Sequence, residues 1–504
     1  MKYIDNFLNS ITMYRLVLYV LCILATVSIF FGFAGLLPFT GPQFTISAAV
    51  LLAACYLVNY FFSNLYKIPR NSESSLITAL ILFLILAPPG NLSGVLTLLL
   101  ASVLAMGSKY LATIKKEHLF NPAAFAAVVL GLLGNHATIW WVATPYLFPF
   151  TLILGLLIVR KLRRFLMFFA FISSALISVG LFGLSTNWLI FDHLIEIATS
   201  WPLIFFGTVM FTEPLTTPPT RKLQTLYGMV VGLFFGFPFR LGPLNSTPEL
   251  ALIAGNIFSF LASPKQRLKL KLQKKGQIGE DIYNFSFASP QKLQYAPGQY
   301  LEWTLPSPHS DSRGNRRYFT IASSPTEGEI KLGVKISPDR SSSFKKNLLL
   351  LNSGDEVFAA QLSGDFILPH DKNKKLVFIA GGIGITPFRS MIQYLVDTNQ
   401  RRDIVLFYTS SSAGEFVYKD LFEKAKKLGL KVVYVMTNKE NAPSSWLGHV
   451  GRLTPEIIQK EAQDYRQRMF YLSGPEAMVA GYKKLLKSLG ISRGAIRTDY
   501  FPGY

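Results

Sequence analysis

Between Leu376 and Pro387 the chain reads Leu-Val-Phe-Ile-Ala-Gly-Gly-Ile-Gly-Ile-Thr-Pro, an apolar strand running into a glycine turn and a helix start. Gly381, Gly382 and Gly384 remove Cβ atoms where backbone must approach a ligand closely. The helix after Pro387 adds free N–H groups and the positive end of its dipole, and together these hold a diphosphate. Glycines in such a turn can also simply tighten a strand-to-helix connection. Two further motifs argue for the ligand: Arg317-Tyr-Phe-Thr-Ile-Ala-Ser323 upstream and Tyr471-Leu-Ser-Gly-Pro-Glu476 downstream. Three motifs in this order are hard to produce by chance.

The elements that must position these motifs come from two unlike halves. A chain of 504 residues is long for one domain, and its composition changes near Ser263-Pro264. Before that point, runs such as Leu16 to Phe33, Ile46 to Phe62 and Phe165 to Phe182 reach the roughly 17 to 20 residues that cross a bilayer. After it, charged residues, glycines and prolines alternate with short apolar strands, as in a soluble α/β region. The net charge of +21 is spread over membrane loops and the soluble half without a basic, aromatic-interleaved stripe, which argues against nucleic acid as a partner. The two cysteines, Cys22 and Cys55, lie inside apolar runs; they are too few for an iron-sulfur cluster and read as small buried hydrophobes. Residues Met1 to Ser10 lack a small-residue cleavage pattern, so the first span is expected to stay.

Ten spans are expected, near 14–36, 43–62, 75–88, 92–108, 121–135, 139–159, 165–184, 199–212, 224–239 and 248–263. Lys67 with Arg70, Lys109 with Lys115 and Lys116, Arg160 to Arg164, and Arg221-Lys222 fall in alternate loops, and Lys265 and Arg267 follow the last span. By the positive-inside rule those loops face the cytoplasm, with Arg240 the exception. Both termini are then cytoplasmic in a cell (inner) membrane protein, so the second half meets reduced nicotinamide.

From about residue 265 to 504 the motifs resemble the ferredoxin-NADP reductase superfamily. The resemblance implies a FAD-binding β-barrel over residues 264–370 and an α/β NAD-binding domain over 371–504, after a multi-pass all-α membrane domain over 1–263. It implies that Arg317 neutralises the FAD diphosphate, Phe319 packs on the flavin-ribityl region and Thr320 hydrogen-bonds near the reactive flavin nitrogen, with Tyr318 and Ile321 completing the motif. Phe319 stands where the family often has tyrosine. Ser342 and Ser343 occupy the second diphosphate contact, although a serine-rich surface turn reads the same way. Gly381, Gly382, Gly384, Thr386 and Pro387 match the nicotinamide-diphosphate loop in full. Ser473-Gly474-Pro475 matches a Cys-Gly-Pro motif beside the nicotinamide, with serine for cysteine, which hydride transfer should tolerate because it depends on position and electrostatics. Phe501 or Tyr504 would cover the flavin. Phe407 to Ser412 lacks the arginine that NADPH-selective relatives often carry, which favours NADH, while Arg401 and Arg402 leave NADPH open.

The first half resembles the family of membrane proteins shared by the Rnf complex and the sodium-translocating NADH:quinone reductase (Rnf/Nqr-like). The likeness lies in Leu119-Phe-Asn-Pro-Ala123 and in Phe211-Thr-Glu-Pro-Leu-Thr-Thr-Pro-Pro-Thr220 with Leu226-Tyr-Gly228. A polar, proline-broken segment at membrane depth is costly unless it lines a cavity or cofactor site, making Asn121, Thr212, Glu213 and Thr217 site candidates. A cytoplasmic loop in which Thr and Pro cap helices is the alternative. Relatives often carry FMN esterified to threonine in a Ser-Gly-Ala-Thr motif; here Val142-Ala-Thr-Pro145 places Thr144 correctly but lacks Ser-Gly, so a non-covalent flavin is equally open. The expected activity is NAD(P)H oxidation at FAD, with electrons passed into or across the membrane to a quinone or an extracytosolic redox protein. A ferric-reductase-like haem enzyme is the first rival, but it needs paired histidines and the first half has only His118, His136 and His193. A nicotinamide-regulated transporter is the second.

Overall fold

The computed structural model describes residues 2–66, 72–114, 117–135, 137–186, 190–242, 244–263, 266–290, 293–305, 311, 314–337 and 341–501. Lys67, Arg70, Lys115, Lys116, His136, Pro264, Lys265 and Tyr504, used above, lie outside that set. The chain divides into two compact units, Met1–Arg267 and Leu268–Tyr504.

Unit 1 is helical. Its main helices are α1 (Met13–Phe33), α2 (Gly41–Leu65), α3 (Ser72–Ile85), α4 (Leu92–Leu111), α5 (Pro122–Leu132), α6 (Phe148–Leu162), α7 (Phe165–Thr186), α8 (Arg221–Gly236) and α9 (Pro248–Ala262). Four stretches among the described residues, Met13–Phe33, Gly41–Leu65, Leu92–Leu111 and Phe165–Leu184, are long and apolar enough to cross a membrane. These four overlap the spans expected at 14–36, 43–62, 92–108 and 165–184. Helices α3, α5 and α9 have only 14, 11 and 15 residues. At about 1.5 Å per residue, 14 residues cover about 21 Å of a hydrocarbon core near 30 Å.

Two of the expected spans are interrupted by identifiable backbone features. The span expected at 139–159 becomes helical only at Phe148, because Trp140 takes a left-handed backbone (φ +49°) and 137–142 is non-helical. That stretch satisfies the broken end of α3: Ala87 N–H donates to Ala137 O at 2.7 Å, and Ile139 and Trp140 N–H both reach Ile85 O, at 2.9 and 3.0 Å. The span expected at 199–212 is split at Trp201-Pro202 and ends in a π-helical turn, Phe206–Met210. Proline removes a helix donor, and a π turn shifts the hydrogen-bond register.

The same series of elements occurs twice. In the first, α1, α2, the interrupted α3 and α4 lead to a hairpin (Thr113–Ile114 with Glu117–His118) and the short α5. In the second, α6, α7, the broken 194–210 segment and α8 lead to a hairpin (Arg240–Leu241 with Leu244–Asn245) and the short α9. Both short helices start with a capping side chain followed by proline. Asn121 Oδ1 accepts Ala124 N–H at 3.1 Å ahead of Pro122, and Thr247 Oγ1 accepts Leu250 N–H at 3.3 Å ahead of Pro248. Helices α5 and α9 also pack on each other.

The closest seam is between α7 and α8. Gly228, Gly232 and Gly236 recur every four residues, and a Cβ at each would stand 2.6, 2.4 and 2.4 Å from the carbonyl oxygens of Met167, Phe171 and Ala175. Only glycine lets the two backbones meet there, as in small-residue packing of membrane helices.

Unit 2 begins with six antiparallel strands, β1 (Leu268–Gly279), β2 (Ile282–Ala288), β3 (Tyr300–Thr304), β4 (Arg316–Thr320), β5 (Ile330–Lys335) and β6 (Glu356–Ser363). Their order is β4-β3-β6-β1-β2-β5, and Ala322 N–H reaches Lys331 O at 2.8 Å, drawing the two edges together around a core that includes Phe285, Phe287 and Trp303. A parallel sheet follows: β7 (Leu376–Gly381), β8 (Ile404–Ser410), β9 (Leu430–Met436), β10 (Met469–Pro475) and β11 (Ile496–Phe501), in the order β9-β8-β7-β10-β11 beside the short strand His449–Val450. Strands β7 and β8 are buried at every residue, as a sheet covered on both faces requires.

Candidate functional site

The strand order reverses between β7 and β10, and open parallel sheets bind ligands beyond the carboxyl ends of the strands at such a switch. Those ends are Gly381 and Gly474-Pro475, two of the three motifs found in the sequence. Ala380 pairs with Ser473 in the parallel ladder, which brings segments about 90 residues apart into contact. A Cβ on Gly384 would stand 2.5 Å from Ser473 O and 2.6 Å from Gly474 Cα, and Gly382 sits at φ +51°. Glycine is required at the first for space and favoured at the second for conformation. The turn ends in the helix Thr386–Asp397, with buried Thr386 donating from Oγ1 to Ile383 O at 3.2 Å and Pro387 in its first turn. Ser473 is fully buried and its hydroxyl has no protein partner. Phe501 ends β11, paired with Pro475, so the chain's last strand closes beside the third motif.

The first motif lies on β4. Arg317, 5 % exposed, turns its guanidinium onto the carbonyls of Gly314 (3.1 Å) and Arg316 (2.7 Å) and the carboxylate of Asp311 (3.4 Å). Asp311 in turn accepts Ser343 N–H at 3.2 Å, and its own N–H donates to Ser343 Oγ at 2.9 Å. The arginine is thereby tied to the head of the helix Ser343–Leu350, whose Ser342 N-cap hydroxyl is buried without a partner. Phe319 packs on Phe344 with ring centroids 5.6 Å apart, and the Arg317 guanidinium lies 5.5 Å from the same Phe344 ring. The buried Thr320 hydroxyl also has no partner. A cation, a helix N-terminus and two spare buried hydroxyls suit the phosphates and polar edge of a dinucleotide flavin.

Strand alternation sends Tyr318 the other way: its hydroxyl donates to Gln361 Oε1 at 3.0 Å and its ring meets Tyr300 edge-on. Ile321 is fully buried in the core of the antiparallel sheet.

The two lobes of unit 2 are locked by a residue that carries no motif signal in the sequence. Arg389, three residues after the Thr386 turn, donates to Ala322 O at 3.0 Å and forms a forked pair with Glu327 across the lobes, and Ser390 Oγ donates to Ser323 O at 2.5 Å. Burial alone would raise the Glu327 carboxyl, but hydrogen bonds and charge from Arg389, helped by Lys331, bring it down to about 2. A second tie joins Lys335 on β5 to Glu415 after β8 at 2.5 Å. Arg402, left open above as a 2′-phosphate partner, is spent on the carbonyls of Asp371 and Pro369, both at 3.0 Å. Arg401 and Arg402 precede β8, at the amino ends of the parallel strands, whereas the Gly381 loop follows their carboxyl ends.

In unit 1 the structure joins Asn121 and Glu213. Asn121 Nδ2 donates to Glu213 Oε2 at 2.7 Å, and Asn121 N–H donates to Asn256 Oδ1 on α9 at 2.8 Å. Asn256 Nδ2 points to the Tyr227 hydroxyl at 3.4 Å, His118 lies 4.0 Å from Glu213, and Arg164 holds Thr212 O at 2.7 Å. Thr217 belongs to the turn behind Glu213, its N–H donating to Glu213 O at 3.2 Å. Thr144 sits elsewhere, beyond the far end of α5 at the head of α6, with its hydroxyl buried and unpartnered. Asn256 and Arg164 carried no local site signal, since they meet Asn121 and Thr212 only through helix packing, whereas Tyr227 lies in the Leu226-Tyr-Gly228 stretch noted in the sequence.

Residues 269–357 match the oxidoreductase FAD-binding domain and residues 378–484 the oxidoreductase NAD-binding domain. The chain is similar to the stachydrine N-demethylase reductase subunit Stc4 of Rhizobium meliloti, 26 % identical over 231 residues, 44 % of this chain and 64 % of that protein. It is also similar to NADH-cytochrome b5 reductase 1 of Emericella nidulans, 27 % identical over 246 residues, 46 % of this chain and 77 % of that protein. Among solved structures, the Amycolatopsis cytochrome P450 reductase GcoB aligns with a TM-score of 0.42 at 24 % identity, over 47 % of this chain and 70 % of that one. The chain spans just under two thirds of the length of Stc4.

The two domain matches and the similar reductases define the class, an NAD(P)H-dependent flavin oxidoreductase. More narrowly, residues 269–357 and 378–484 carry FAD- and NAD-binding oxidoreductase domains, similar to those of NADH-cytochrome b5 reductase 1.

Proposed function

We propose that this chain is a membrane-bound flavoprotein that oxidises NADH on the cytoplasmic side and passes the electrons through unit 1 to a quinone or an extracytosolic redox protein. The observation that carries the reading is the joining, in one chain, of an FAD- and NAD-binding module to a unit with four helices of membrane-spanning length and a buried polar cluster.

FAD, when bound, supplies two-electron acceptance from nicotinamide and one-electron release to the next acceptor. Arg317 with Ser342 and Ser343 would hold its diphosphate, and Thr320 would offer a hydroxyl to its polar edge. The Gly381–Gly384 turn and the helix from Thr386 would hold the NADH diphosphate, while Gly474 leaves room beside it. Arg389 and Glu327 keep the lobes in register, so that a nucleotide on one lobe meets a flavin on the other.

In unit 1 the Asn121–Glu213 cluster is the favoured place for a relay such as FMN, in line with the resemblance of this half to the membrane proteins of the Rnf complex and the sodium-translocating reductase. A flavin mass on the Thr144 peptide would reveal a covalent one. A haem relay is less favoured, because His118 and His193 both face carboxylates, Glu213 and Glu196.

The test is full-length protein in membranes, given NADH under anaerobic conditions and then a short-tailed quinone. Flavin absorbance should bleach on the first addition and return on the second. Protein without a flavin spectrum, or with residue 504 mapped outside the cell, would overturn the reading.

A further inference from the structure

Helix α9 starts Thr247-Pro248-Glu249, where its counterpart α5 starts Asn121-Pro122-Ala123. The second series thus carries a carboxyl where the first has a methyl. Glu249 is 6 % exposed, and its Oε2 accepts Trp140 Nε1 at 3.1 Å, with its own backbone N–H and the Thr247 side chain as further partners. A glutamate in the first turn suits the helix dipole. That role is available at the surface, however, and explains neither the burial nor the indole; an ionisable group in an apolar unit is by default functional.

The indole is itself held unusually. Trp140 has a left-handed backbone, uncommon for a bulky residue, fixed by its N–H bond to the broken end of α3 at Ile85 O. Its ring lies against Phe206, with centroids 6.0 Å apart. Two further groups on this connecting stretch, the Thr138 and Thr144 hydroxyls, are buried without partners. The neighbourhood therefore offers a buried carboxyl, an indole and, on the same connecting stretch, two spare hydroxyls.

We infer that Trp140, Glu249 and the hydroxyls of Thr138 and Thr144 form a binding site for the headgroup of a quinone. This rests on the quinone-acceptor reading above and deepens it by naming the site. A flat ring with two carbonyl oxygens would stack on Trp140 and accept from the threonines. Reduction adds two electrons, drawn from NADH through the flavin, and two protons; Glu249 gives one proton to a ring oxygen and is reprotonated from water, which also supplies the second. Few other titrating groups complicate Glu249: α5 has none, α8 contributes Arg221, Lys222 and Tyr227, the last beside Asn256, and Arg240 in the adjoining hairpin is exposed.

The experiment uses full-length protein in proteoliposomes, with NADH and decylubiquinone. Glu249→Gln should leave NADH-dependent flavin bleaching within about twofold of wild type, lower kcat for quinone reduction about tenfold or more and shift its pH profile, with Glu249→Asp restoring part of the rate. Trp140→Phe should raise KM for the quinone several-fold. Wild-type protein that reduces the quinone while Glu249→Gln matches it in kcat, KM and pH profile overturns the site alone. Wild-type protein that bleaches but leaves the quinone oxidised overturns the site together with the quinone reading.

Discussion

Gly384 gives the sharpest test of the nucleotide site. A Cβ there would meet Ser473 O at 2.5 Å, Gly474 Cα at 2.6 Å and Gly474 N at 2.7 Å. All three are backbone atoms, so no side chain can rotate away. Restoring an ordinary contact of about 3.5 Å requires the turn or β10 to move by about 1 Å. Overpacking of this kind costs about 1–3 kcal/mol in stability, and a 1 Å misplacement of reacting groups can cost about 100-fold in rate. Gly384→Ala is therefore expected to slow NADH-dependent flavin bleaching by about 100-fold in stopped flow. Bound FAD, measured by extraction, should stay at the wild-type level because the Arg317–Ser342 contacts lie on the other lobe. Gly382→Ala is the comparison: no atom lies within 4 Å of the added Cβ, and the cost is only the left-handed backbone, about 1–2 kcal/mol. Gly384→Ala protein that bleaches at the wild-type rate with an unchanged KM for NADH would refute the placement of the nucleotide at this turn.

Thr320→Val removes a buried hydroxyl without a protein partner, so flavin-free protein should gain about 1 kcal/mol in melting experiments while FAD retention falls; wild-type retention counts against the hydroxyl's role. Gly232→Leu should drive α7 and α8 apart and cost about 3 kcal/mol or more, read as a lower Tm in detergent, whereas Gly131→Ala, with nothing within 4 Å, should be nearly silent. The Glu327 carboxyl is held at about 2, below its ordinary value of about 4.3, so its pair with Arg389 stabilises the protein fully above about pH 5. That contribution is lost as the pH falls from about 5 towards 2. After allowance for solvent screening it is on the order of 2 kcal/mol, and Glu327→Gln should flatten this part of the acid melting profile. An unaltered profile in that variant would show that the pair does not set acid stability.

Much of unit 2 was legible because its signals are local. The glycines at 381, 382 and 384 and the Thr386-Pro387 helix start declare a phosphate turn through residue type alone, and Arg317 and Thr320 sit within one strand. Asp311, which ties Arg317 to Ser343, is 32 residues from that serine, and Glu327 is 62 from Arg389. No spacing rule links residues so separated, and the antiparallel ladder and the packing of two lobes decide who meets whom. Within the five-residue run from Arg317 to Ile321 the pleat also parts neighbours, turning Tyr318 towards Gln361 and Tyr300 while Ile321 packs into the core.

For unit 1 the sequence determined that several stretches are long and apolar enough to cross a membrane. It did not determine which stretches are single helices. That was decided by the left-handed turn at Trp140, the interruption at Trp201-Pro202, the π turn after Phe205 and the meeting of Ile85 with residues 139 and 140. A hydropathy sum counts side chains, whereas a helix breaks where backbone N–H and carbonyl groups find partners elsewhere, and those partners exist only once the chain has folded. The repeated series of elements stayed hidden for the same reason, since Asn121-Pro122 and Thr247-Pro248 share a capping geometry rather than a sequence.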